Sequence, residues 1–225
     1  MLEDFLKCKA ERIMINKANN YGKFILLWAG ELISQIGGGL SSFGLGVYVF
    51  RQTGRASDMA LITLFGFLPS LLLSAPAGVL ADKYDRRLLM MIGDGCSGAG
   101  VVFILFCMIN GGATLIHICI GVFISSIFAS LLEPSYRATI TDLLTKEEFS
   151  KASGLVSLAG SAKYLFSPII AGFLLSISDV KLLLLIDICT FFLTVLSTAV
   201  VRRNIDNKKT EIRDRFSIRL KEGWQ

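Results

Sequence analysis

The chain has 225 residues, 53% of them hydrophobic and 18% charged, and a mean hydropathy of +0.61, an apolar excess that excludes an ordinary soluble domain. Its formal charge is +5 and its pI is near 9.0. The basic residues sit in alternate connecting segments and not along one face, so no nucleic-acid partner is expected.

A helix that crosses a bilayer core of roughly 30 Å needs about 20 apolar residues. Residues 1–23 carry Glu3, Asp4, Glu11 and several lysines ahead of any apolar run, which reads as a cytoplasmic tail and not as a cleaved signal peptide. Six runs of spanning length follow, at about 24–50, 59–81, 88–109, 113–133, 153–177 and 180–201. Together they predict an all-α membrane protein whose bundle occupies residues 24–202. Residues 203–225 have no apolar run. There Ile212, Phe216, Ile218 and Leu220 alternate with Arg213, Arg215, Arg219 and Lys221, a basic pattern suited either to an anionic inner leaflet or to a solvated linker.

Lysine and arginine set the orientation. The N-terminal tail, the turn at 82–87, the segment 134–152 and the chain after Val201 hold five, three, three and eight of them. The opposite side holds Arg51, Arg55 and Lys181, and Lys163 lies inside a span. Both termini are therefore expected in the cytoplasm of a multi-pass protein of the plasma membrane. Within the middle inner segment, Thr145 followed by Glu148 has capping-box spacing and predicts a short surface helix.

Polar groups in hydrocarbon are costly and are kept where a partner, cavity water or a function compensates them. Glu31 lies seven residues into the first span, about 10 Å deep, ahead of Ser34, Gln35 and Gly37-Gly38-Gly39. It is the leading candidate for binding a proton or attracting a cationic substrate, with Gln35 beside it; a carboxylate paired for packing is the alternative. Lys163, near the middle of the fifth span, is the candidate counter-charge to Glu31 or Asp94, or a group that attracts an anionic substrate. Asp94 and Asp187 lie nearer the ends of their spans, where they could reach headgroups or helix termini. His117, about a turn inside the outer end of the fourth span, reads as an interfacial residue first and as a pH sensor second.

All four prolines, Pro69, Pro76, Pro134 and Pro168, lie in or at the edges of spans and are candidate kinks at gating bends. Gly172 follows Pro168, and Gly93, Gly95, Gly98 and Gly100 stud the third span, as close helix contact requires. The cysteines at 8, 96, 107, 119 and 189 are odd in number and far apart, and read as free thiols. There is no G-x-x-x-x-G-K-[ST] phosphate loop, no Ser/His/Asp set and no metal constellation. No enzymatic activity and no cofactor are expected.

The most specific stretch is residues 78–87, Gly-Val-Leu-Ala-Asp-Lys-Tyr-Asp-Arg-Arg. It resembles the loop signature of the major facilitator superfamily of secondary transporters, G-x-x-x-D-[RK]-x-G-[RK]-[RK], with Asp85 in place of the second glycine as in the drug, macrolide and siderophore exporter branch. Supporting stretches are Trp28-Ala-Gly-Glu-Leu-Ile-Ser, Pro134 followed by Leu143-Leu144, and Asp187-Ile-Cys-Thr-Phe191. The segment Ser167-Pro168-Ile169-Ile170-Ala171-Gly172 is similar to the antiporter signature G-x-x-x-G-P-x-x-G-G, with Lys163, Ser167 and Ala171 replacing glycines. His117, four residues before Gly121, falls where many proton antiporters of the superfamily have R-x-x-Q-G, but the Arg and Gln are absent.

The resemblance covers essentially the whole chain and implies the N-terminal six-helix half of a twelve-helix exporter, built as a three-plus-three inverted repeat. An internal echo fits such a repeat: Leu88-Leu-Met-Met-Ile-Gly before Asp94, and Leu182-Leu-Leu-Leu-Ile before Asp187. The implied function is proton-coupled export of small amphiphilic molecules by alternating access. The implied partners are the lipid bilayer, a small-molecule substrate and a second six-helix half, which is a missing C-terminal half, a separate chain or a second copy. By the same resemblance Gly78, Asp82, Lys83, Asp85, Arg86 and Arg87 form the conformational-switch loop. Asp82 would cap a helix of the second half, and Arg86 or Arg87 would pair with Glu133. The competing reading is a non-transporting interaction subunit or an inactive remnant.

Overall fold

The computed structural model describes the backbone of residues 2–222 and the side chains of residues 20–145 and 147–202. The residues carrying the basic pattern at 203–225 have side chains outside this set. Among the described residues the chain is all helix: α1 (Leu2–Thr53), α2 (Ala56–Lys83), α3 (Arg86–Ile109), α4 (Leu115–Ala129), α5 (Leu132–Leu143), α6 (Lys146–Ile177) and α7 (Val180–Glu222). Six segments are long and apolar enough to span a membrane: Asn20–Thr53, Ala56–Lys83, Arg86–Ile109, Leu115–Leu143, Glu147–Ile177 and Val180–Arg202.

The fourth span does not end at Glu133. Its apolar run stops there, but the helix resumes as α5, and only Leu144 and Thr145 separate α5 from α6. The expected inner loop 134–152 is thus helical almost throughout. Pro134 accounts for the interruption: its ring excludes the carbonyl of residue 130, so the α-ladder breaks at Ser130 and Leu131, and the Leu131 N–H bonds Phe128 O at 3.1 Å. The Thr145/Glu148 capping box is present, with the Thr145 N–H donating to Glu148 Oε2 at 3.0 Å. It opens the long helix α6 instead of a short surface helix.

Helix pairing has the symmetry of an inverted repeat. The first span packs mainly on α7 and α6, and the fourth packs mainly on α3 and α2, while α3 and α7 pack on each other. Exchanging the first three spans with the last three maps these pairings onto themselves. A serine hydroxyl staples each of the two related crossings, with the donor on opposite members: the Ser167 hydroxyl of α6 donates to Ile36 O of α1 at 3.1 Å, and the Ser126 hydroxyl of α4 donates to Gly66 O of α2.

Two apolar clusters close the ends of the bundle. At the end carrying the 82–87 turn, hereafter the basic end, Phe24, Leu27, Met90, Tyr136, Ile140 and Val201 pack together. At the opposite end Leu45, Val49, Ile62, Ile104, Met108, Ile118 and Leu184 do so. Between them runs a polar waist of buried Glu31, Ser34, Ser41, Asp94, Ser97, Ser126, Ser167, Asp187, Thr190 and Thr194. Glycines make this waist possible: a Cβ on Gly100 would collide with Gly121 O, and one on Gly37 with the side chains of Thr190 and Asp187.

Candidate functional site

The basic turn is short because Tyr84 and Asp85 adopt extended backbone between α2 and α3. Asp85 starts α3 by accepting the Arg87 N–H at 3.1 Å, and its other oxygen takes Arg202 Nε of α7 at 3.1 Å. Arg86 reaches Asp142 of α5 at 2.9 Å, Ala138 O at 3.0 Å and, more loosely, Asp82 at 3.7 Å. The partner expected for this arginine, Glu133, lies about two and a half turns before Asp142 on the fourth span, away from the basic end, and pairs with Arg137 at 3.0 Å instead. Arg87 is buried, with Nε lacking a hydrogen-bond partner. The Asp82 side chain is 81% exposed, Lys83 lies 5.8 Å over the Tyr84 ring, and a Cβ on Gly78 would meet no atom within 4 Å.

In the waist, Glu31 is 5% exposed; one oxygen accepts Gln35 Nε2 at 2.9 Å, and Oε2 is buried with no partner. Asp94 and Asp187 are each 1% exposed. Neither reaches a headgroup or a helix end, because α3 and α7 pack face to face and turn both acids inward. Asp94 Oδ2, Asp187 Oδ1 and Ser41 Oγ have no hydrogen-bond partner, and Tyr136 OH and Ser135 Oγ of α5 are in the same condition.

Lys163 makes no ion pair with Glu31 or Asp94 within 4.0 Å among the described residues. Its stem lies against Gly39, its ammonium sits 5.9 Å over the Tyr164 ring, and it is within electrostatic reach of Glu31 and Asp187. His117 is exposed and caps α4: its Nδ1 bonds the Thr114 hydroxyl at 2.7 Å, and the ring tilts against Phe103. Cys96, Cys107, Cys119 and Cys189 are free thiols.

A cleft of about 320 Å³ opens between α2 and the α4/α5 break, lined by Ser70, Ser74, Ser130, Glu133, Pro134 and Arg137. Pro69 is buried on α2, and α2 and α6 each continue as one helix through their prolines, Pro69 and Pro76 in α2 and Pro168 in α6. Gly172 stands on the open face of α6, where a Cβ would meet no atom within 4 Å. Sequence reasoning passed over Tyr136 and Asp142. Their signal was helical spacing: Tyr136, Ile140 and Leu143 mark one face, with Asp142 beside it.

The chain is 28% identical over 192 residues to Macrolide efflux protein A of Streptococcus pyogenes, which covers 84% of this chain and 47% of that protein. It is 26% identical over 179 residues to the Staphyloferrin A transporter of Staphylococcus aureus, covering 78% and 43%. It is 25% identical over 174 residues to the uncharacterized MFS-type transporter YkuC of Bacillus subtilis, covering 76% and 40%. The chain thus spans less than half the length of these curated relatives. Residues 20–225 match the family described as Transmembrane secretion effector, so the chain belongs to that family of the major facilitator superfamily.

Proposed function

We propose that this polypeptide is one six-helix half of a secondary exporter of small amphiphilic molecules, of the macrolide or siderophore kind, working by alternating access and driven by protons. The observation that carries the reading is Glu31: a carboxylate buried in the first span of a family-matched bundle, with one oxygen partnered by Gln35 and the other by nothing. Such a group is costly in a membrane protein unless it exchanges a proton or meets a ligand. The relatives named for macrolide efflux and staphyloferrin transport support the substrate class.

The second half docks on α2 and α6 in this reading. They are the least buried spans, and Gly78, Gly154, Gly160 and Gly172 on them would each meet no atom with a Cβ, the small residues that close helix approach uses. In this reading Asp82, exposed at the end of α2, caps a helix of that half. The charge distribution supports a plasma-membrane protein with the basic end in the cytoplasm.

The test is efflux of a macrolide and of a fluorescent lipophilic dye from proteoliposomes holding the purified chain under an imposed proton gradient. Gradient-driven transport that falls at least tenfold in Glu31→Gln and in Asp82→Asn is the expected outcome for a chain that completes its transporter by self-association. Transport absent from folded protein, and still absent when a second half is supplied, would leave the chain an interaction subunit.

A further inference from the structure

The cleft of about 320 Å³ between α2 and the α4/α5 break has a wall whose hydroxyl protons can be traced one by one. A serine hydroxyl has one proton to give and two lone pairs to offer. Ser126 gives its proton to Gly66 O, so in its 3.4 Å contact with Ser70 the donor is Ser70. Ser74 donates to Leu71 O at 2.9 Å, and Ser130 donates to Ile127 O at 2.6 Å. The three serines that line the cleft, Ser70, Ser74 and Ser130, have thus given their protons to protein partners and present lone pairs alone. Pro134 has no N–H, which also leaves the Ser130 carbonyl without its usual helical donor.

Glu133 completes this accepting wall. Its Oε1 takes both Nε and one Nη of Arg137 at 3.0 Å, and its Oε2 has no hydrogen-bond partner among the described residues. The side chains of Glu133 and Arg137 are 73% and 66% exposed. Glu133 nevertheless lies about 15 Å inside the basic end of the fourth span, which closes at Leu143. Exposed charge at that depth is costly against hydrocarbon and is kept where it faces a cavity or a ligand. Arg137 holds the Glu133 carboxylate in place, and every other polar side chain of the cleft accepts. A wall of acceptors is satisfied by a ligand that donates, and a positively charged donor gains most from the open carboxylate oxygen.

We propose that this cleft binds the ammonium of a protonated primary or secondary amine, with Glu133 Oε2 accepting one N–H and Ser70, Ser74 and Ser130 accepting from the rest of the donor-bearing head. A volume of about 320 Å³ is at the lower end of small-molecule sites and fits an amine head with a short stem. The site deepens the exporter reading, on which its part in transport rests, by naming the charge and donor class of the substrate. It places recognition of that head on α2 and the α4/α5 break, apart from Glu31 in the first span.

Fluorescence titration of the purified chain in lipid nanodiscs tests it, with empty nanodiscs subtracted. The probe is a dansyl alkylamine ending in a primary ammonium. Three analogues accompany it: N-acetyl, which is neutral; trimethylammonium, which keeps the charge without an N–H; and succinyl, which carries a carboxylate. Wild type is expected to bind the ammonium at least tenfold more tightly than any of the three. Glu133→Gln, with its unchanged melting temperature as the control for folding, should weaken ammonium binding at least tenfold and leave the neutral analogue unaffected. Ser74→Ala should weaken the ammonium about threefold and the trimethylammonium analogue not at all. Ammonium binding that survives Glu133→Gln overturns the proposal. So does binding lost in Glu31→Gln but not in Glu133→Gln, which would put the amine at the first span. Equal affinity for the trimethylammonium analogue would overturn the requirement for a donor, and tighter binding of the carboxylate would make Arg137 the recognising group. Ammonium binding by a chain that moves neither macrolide nor dye, even with a second half supplied, would overturn the exporter reading and leave the site standing.

Discussion

Asp94 and Asp187 occupy related places in the two halves of the repeat, yet their surroundings differ. Asp94, toward the basic end, is within electrostatic reach of Glu31, and among the described residues no cation pairs with it within 4.0 Å. Asp187, toward the opposite end, faces Ser41 and Thr190 across Gly37 and is within reach of the Lys163 ammonium. The same acid in the same fold position therefore has another carboxylate within electrostatic reach in one half and a lysine in the other. A pseudo-symmetric scaffold fixes where a charge is buried, and the neighbours on α1, α5 and α6 decide what that charge can do.

The largest expected effect comes from the backbone that brings these groups together. At Gly100 a Cβ would meet main-chain atoms, Gly121 O and Ser125 N, whereas at Gly37 it would meet the side chains of Thr190 and Asp187. Gly100→Ala should cost about 3 kcal/mol in unfolding free energy. Gly37→Ala should cost less, because a side chain can rotate away; equal losses in denaturant titrations of the two variants would remove the distinction. Next is the charge contrast itself. A double-mutant cycle on Lys163→Met with Asp187→Asn should show a coupling of about 1 kcal/mol, and the cycle with Asp94→Asn should close to within about 0.5 kcal/mol. A larger coupling to Asp94 would reverse the assignment of the two environments.

Smaller effects are expected at the basic turn. Asp142→Asn should loosen Arg86 and cost about 1 kcal/mol, since the pair is partly exposed, while Glu133→Gln should leave the melting temperature unchanged. Matching shifts in the two variants would count against Asp142 as the partner of Arg86. The smallest change is expected for Asp85→Gly, which removes a helix cap and the Arg202 contact for about 0.5–1 kcal/mol together; thermal unfolding measures it.

Much of the bundle was legible in the apolar runs, because length and hydropathy alone identify a span. The fourth was read too short because α5 is amphipathic: Arg137, Thr141 and Asp142 face outward and end the apolar run, while Tyr136, Ile140 and Leu143 continue the core. Glu31 stood out as a lone acid in an apolar run. Asp94 and Asp187 were placed by their distance along the span, which says nothing of the side of the helix they occupy. Facing is set by packing partners, and these became visible only once α3 and α7 were seen against each other. The partner of Arg86 was misplaced for a related reason, since a span thought to end at Glu133 offers no later acid. The contact of His117 with Thr114, three residues earlier, was open to view in the spacing but was not drawn from it.

The interruption at Ser130 and Leu131 gives the fourth span an elbow, and the 12-residue α5 beyond it is a forearm about 18 Å long. Near the joint the forearm carries Tyr136; Ala138 O at mid-length and Asp142 near the tip grip Arg86. A stiff rod pivoting at one end moves every group on it by an amount set by its distance from the pivot. Any rotation about that joint would move the Asp142 contact to Arg86 further than it moves Tyr136. Mechanical advantage of this kind needs no relay of side chains between the two places, only a helix that bends at one point and stays straight beyond it.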